Sequence, residues 1–105
     1  MIRQGDVLLL PVSDIPASAN PAHAETGRLI LARGEATGHH HSIAMSDQVA
    51  MFREDGIGGG LFLAVTGAPV ALEHQEHTAL VIAPGTYEVR IQRTYQAGMA
   101  QRLAD

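Results

Sequence analysis

The chain has 105 residues, 46% of them hydrophobic, with no Cys and a formal net charge of −4. That length suits one domain with a single thin core, and the composition argues against wholesale disorder. The acidic balance argues against a general binder of nucleic acid or anionic membrane, and the lack of Cys excludes disulfides and thiolate metal ligation.

In chain order, residues 2–12 read as a first strand, with Gly5-Asp6 as the turn leading in and Pro11 near its end. The run Val7-Leu8-Leu9-Leu10 is too short for a signal-peptide core and far short of the ~20 residues that span a bilayer, so a buried strand in a cytoplasmic protein is expected. Residues 13–26 collect Ser, Pro, Asn and Ala without periodicity and read as the longest loop. Residues 28–33 form a short apolar strand, punctuated by Gly34 to Gly38. Residues 39–45 alternate, which places His39, His41, Ile43 and Met45 on one face of an extended segment. Residues 48–53 and 61–66 are further strands, separated by a glycine-rich turn at 55–60.

Residues 70–74 alternate again, with Val70, Leu72 and His74 on one face, and 78–83 form a continuous apolar run. Pro84-Gly85 reads as a type II turn. Residues 87–95 make the clearest strand: Tyr87, Val89, Ile91, Arg93 and Tyr95 share a face, opposite Glu88, Arg90, Gln92 and Thr94. Residues 97–105 are a tail or a last short strand, and only 14–25 and 97–105 have room for a helix. Short strands between Gly and Pro punctuation predict an all-β single domain over residues 1–105, a small β-barrel or rolled β-sandwich. A β-domain of this size exposes sheet edges, so a homo-oligomer is expected.

Five of the six His fall in two segments, Gly38-His39-His40-His41-Ser42 and Glu73-His74-Gln75-Glu76-His77. Residues two apart on a strand point the same way, so His39 and His41 can offer imidazole nitrogens to one ion while His40 points away. His74 and His77, three apart, share no strand face, but a chain reversal over 73–78 brings either or both to the same place. Imidazole binds several divalent transition metals, and a ligand set of nitrogen and oxygen favours Zn, Ni, Mn or Fe. His39, His41, His74 and His77 are therefore the candidate ligands. Glu76 is the candidate catalytic base or the group that orients a ligand. The glycines at 58–60 make no phosphate loop, and no Ser stands in a nucleophile elbow.

Two resemblances rest on these residues. Gly34-x4-His39-x-His41 resembles the opening of the first metal motif of the cupins, in which an H-x-H pair on a barrel strand binds a divalent ion. The Glu that follows in cupins is absent here, where Ser42-Ile43-Ala44-Met45 comes next. The chain is also similar to a small bacterial and phage family patterned G-E-x-T-G-H-x-H, then H-x-E-H, then A-P-G-T-Y-x-V-x-x-Q-R-E-Y. Its counterparts are Gly34 to His41, His74 to His77 and Ala83 to Tyr95, with Thr94 in place of the last motif's Glu. That resemblance implies a shared fold and site and supplies no activity.

The leading expectation is a divalent-metal-binding β-barrel protein performing metal-dependent chemistry on a small molecule. The alternative is a non-catalytic binding or regulatory module with no metal, using Tyr87, Arg90, Arg93 and Tyr95 as a ligand or partner surface.

Overall fold

A computed structural model describes residues 1–34, 38–92, 94–96 and 99–101; for 94–96 and 99–101 only the backbone is described. The Glu35–Thr37 part of the expected turn, Arg93 and the end of the tail lie outside these residues. The fold is all-β, and no described residue is helical.

The first expected strand is two strands. β1 (Ile2–Gln4) and β2 (Val7–Pro11) pair antiparallel, with Gln4 opposite Val7 and Gly5-Asp6 as the connection. Gly5 takes φ 58°, a conformation that costs a side-chain-bearing residue far more. The expected long loop contains β3 (Ala19–Pro21), which pairs with β6 (Val49–Glu54). Three residues held at a sheet edge leave no periodic signal, so composition alone reads them as loop.

β7 (Leu61–Val65) and β10 (Gly85–Ile91) complete a six-stranded sheet ordered β1-β2-β10-β7-β6-β3. Its outer strands, β1 and β3, do not meet, so the sheet is open and the architecture is sandwich-like, not a closed barrel. Gly85 begins β10 opposite Val65 at φ 159°, unlike the φ near +80° of a type II turn. The strand expected over 87–95 ends at Ile91, and β11 (Thr94–Gln96) and β12 (Met99–Gln101) form a separate hairpin.

Two more hairpins accompany the sheet. β4 (Arg28–Arg33) pairs with β5 (His40–Ala44) through a register shift between Ile30 and Ala32, and β8 (Val70–Leu72) pairs with β9 (Leu80–Ile82). Alternate residues of the large sheet bury one face: Val7 and Leu9, Val49 and Met51, Leu61, Leu63 and Val65, Tyr87 and Val89. Cross-strand register stacks them, with Val89 opposite both Leu9 and Leu61, and Leu63 opposite both Tyr87 and Met51. Leu29, Leu31 and Ile43 of the β4–β5 hairpin and Leu72 and Ile82 of the β8–β9 hairpin join them in one core. Met45, expected on one face with His39, His41 and Ile43, lies beyond the end of β5 and is 62% exposed.

Candidate metal centre

The two histidine segments meet because β5 and the end of β8 pair. Ser42 and Glu73 exchange both backbone hydrogen bonds, Ser42 N–H donating to Glu73 O at 3.0 Å and Glu73 N–H to Ser42 O at 2.8 Å. The side chains beyond this bridge follow the same antiparallel register. One step on, the His41 and His74 rings lie 4.3 Å apart between centroids. Two steps on, His40 N–H donates to Gln75 Oε1 at 2.9 Å. Three steps on, His39 Nδ1 stands 3.0 Å from Glu76 Oε1. Arg28 braces the bridge, donating from Nε to Ser42 Oγ at 2.7 Å and from Nη2 to Glu73 Oε1 at 2.6 Å.

All four candidate histidines converge, with His74 at the centre. Its ring lies 5.7 Å from that of His39, 4.3 Å from His41 and 4.7 Å from His77, and His41 and His77 stack at 5.8 Å. The reversal expected over 73–78 is the connection between β8 and β9, and it carries His77 back to the cluster. His40 projects away from the cluster, with Nε2 3.4 Å from Gln75 Nε2.

The rings are packed against one another. Among the described residues no group of three or more His, Cys, Asp or Glu is placed to hold a metal ion as it stands. Sharing one ion would bring donor nitrogens to about 2.0–2.1 Å from a common point, which here takes rotation of the rings. His39 lies at the more open margin, with 26% of its side chain exposed, whereas His41 is fully buried and His74 nearly so.

Two polar residues of the first hairpin complete the environment, and motif reading missed both. Gln4 is buried and donates from Nε2 to Leu72 O at 2.9 Å and to Thr78 O at 3.0 Å; its Oε1 lies 2.9 Å from His41 Nδ1. Asp6, 1% exposed, sets Oδ1 3.6 Å from His41 Nε2. A Gln and an Asp on either side of Gly5, ahead of a wholly apolar strand, were the only signal available, and it resembles an ordinary turn. Burying a carboxylate beside imidazoles is costly in so small a domain, and such clusters concentrate at functional sites.

Glu76, expected as base or orienting group, meets His39 and is half exposed. A cavity of about 340 Å³ lined by Arg28, His40, Ser42, Glu73, His74 and Gln75 adjoins the cluster. Of the surface expected around Tyr87, Arg90, Arg93 and Tyr95, the side chains of Tyr87 and Arg90 are described. Tyr87 is buried and its hydroxyl donates to Ala83 O at 2.7 Å, while Arg90 is exposed and pairs with Glu88 at 3.0 Å. Alternation along β10 puts these two side chains on opposite faces. The Arg93 and Tyr95 side chains lie outside the described residues.

A family model, described as a domain of unknown function (DUF8820), matches residues 3–92. No curated protein and no solved structure matched the chain.

Proposed function

We propose, from the premise that the chain belongs to the family of the domain of unknown function DUF8820, that it binds one divalent transition-metal ion at the cluster of His39, His41, His74 and His77. The observation that carries this reading is the convergence of imidazoles from two segments more than thirty positions apart, packed around the His74 ring at 4.3 to 5.7 Å. A cluster of imidazoles beside a carboxylate suits Zn, Ni, Mn or Fe. Asp6 supplies an oxygen donor on the buried side: two donors on one tetrahedral ion lie roughly 3.3 Å apart at usual bond lengths, close to the 3.6 Å between Asp6 Oδ1 and His41 Nε2.

Three histidine ligands would leave a fourth position for Asp6 or for a water, and the second is the arrangement of catalytic rather than closed structural sites. An ion held by these residues would supply Lewis acidity and the means to activate a water near neutral pH. The protein's own groups do the positioning: Glu76 orients His39, Gln4 orients His41, and the adjoining polar cavity gives a small molecule access. Metal-dependent chemistry on a small polar molecule is the leading function on this reading.

The test is elemental analysis of tag-free protein after exposure to Zn, Ni, Mn and Fe, with the four single His→Ala variants alongside. One ion per chain, lost or weakened when a ligand is removed, is expected. No stoichiometric metal in the wild type, or full retention in every variant, would overturn the reading.

A further inference from the structure

We infer that the cluster is divided by tautomer: His39 and His41 present bare Nε2 atoms, whereas His74 presents an N–H. The ligand set is then His39, His41 and His77, and His74 is a positioning residue that donates a hydrogen bond. The division of labour rests on the metal reading above. The tautomers themselves are properties of the metal-free chain.

The argument begins at Gln4. Its Nε2 faces two backbone carbonyls, Leu72 O at 2.9 Å and Thr78 O at 3.0 Å, and only an NH2 group can satisfy both. That fixes the amide's orientation, so the atom facing His41 Nδ1 at 2.9 Å is a carbonyl oxygen, which can only accept. His41 Nδ1 therefore carries the proton. In the neutral ring, Nε2 then holds a lone pair. His39 follows the same logic: its Nδ1 is 3.0 Å from Glu76 Oε1, an acceptor, so in the neutral ring Nδ1 carries the proton and Nε2 the lone pair.

His74 is the reverse. The backbone N–H of Glu76 donates to His74 Nδ1 at 3.0 Å, and a backbone amide can only donate here. Nδ1 is the bare atom and Nε2 carries the proton. Ligation through Nε2 would move the proton to Nδ1 and set two N–H groups against each other. Glu76 thus acts at both ends, its carboxylate preparing His39 as a ligand and its amide withdrawing His74 from ligation.

The experiment is long-range 1H–15N correlation NMR of metal-free protein near pH 8, followed by titration with zinc alone. His41 is expected to show a protonated Nδ1 and an unprotonated Nε2, and His74 the opposite pattern. A Gln4→Leu variant should release His41 towards a mixture of tautomers and leave His74 unchanged. If that variant does not fold, Glu76→Pro, which removes the amide donor to His74 together with the carboxylate beside His39, should release His74 and leave His41 fixed. On adding one equivalent of zinc, the Nε2 signals of His39 and His41 should move and the His74 Nε2–H should persist. Like tautomers at His41 and His74, an imidazolium at His41, or loss of the His74 Nε2–H on zinc binding would overturn the inference. Opposite tautomers with no response to zinc would uphold the division and end the metal reading.

Discussion

The side chain of Gln4 meets His41 at 2.9 Å across 37 positions of sequence, and it is held there by its own hydrogen bonds to Leu72 O and Thr78 O. One amide thereby ties the first hairpin to β5 and to both ends of the β8–β9 connection. Replacing it with Leu leaves two carbonyls and one imidazole N–H without their buried partner. Gln4→Leu is expected to lower unfolding free energy by about 1–3 kcal/mol, read by urea denaturation of metal-free protein. Metal affinity, read by calorimetry, should fall roughly 10- to 100-fold as the ligand loses its orienting group. An unchanged denaturation midpoint would show that the Gln4 contacts contribute nothing net.

The two histidines of the H-x-H pair should separate by stability. His41 is fully buried, so His41→Ala opens a cavity and strips Gln4 Oε1 of its donor. A loss of about 1–3 kcal/mol is expected without metal. His39 lies at the open margin, and His39→Ala should change stability by no more than about 0.5 kcal/mol. Both should weaken metal binding. A His39→Ala variant as unstable as His41→Ala would place His39 in the structural core instead.

Glu76 offers a test of orientation against charge. Its carboxylate accepts from His39, an interaction that a Gln carbonyl can reproduce. Glu76→Ala is therefore expected to weaken metal affinity about 10-fold, with Glu76→Gln retaining most of it. Equal losses in the two variants would show that the negative charge, not the geometry, matters.

A pH effect is expected away from the cluster, where β3 is clipped to β6. Ser18 Oγ donates to Glu54 Oε2 at 2.7 Å and Gly60 N–H to Oε1 at 3.1 Å. The Ser18 hydroxyl first, and then the Gly60 amide, hold this carboxyl below its ordinary range. A folded-state pKa below the unfolded one gives a contribution present above the unfolded value and lost as pH falls through the folded value. Glu54→Gln should thus be less stable than the wild type at neutral pH. The gap should close as pH falls through the folded-state value, below the ordinary glutamate value of about 4.3. A gap that widens on acidification would reverse the assigned sign.

Much of this architecture follows from local pattern. Period-two alternation marks the buried face of β10, continuous apolar runs mark β2 and β7 as strands, and H-x-H spacing alone puts His39 and His41 on one side, because a strand's side chains alternate whatever its neighbours are. The open form of the large sheet, the short edge strand β3 and the register joining Ser42 to Glu73 are decided by long-range backbone pairing, which the alternation within each strand leaves undetermined. The same holds for Gln4 and Asp6. Their positions in the chain mark a turn; only the folding of that turn against β5 and the β8–β9 connection gives His41 its acceptor, because a hydrogen bond across 37 residues depends on where two segments meet in space.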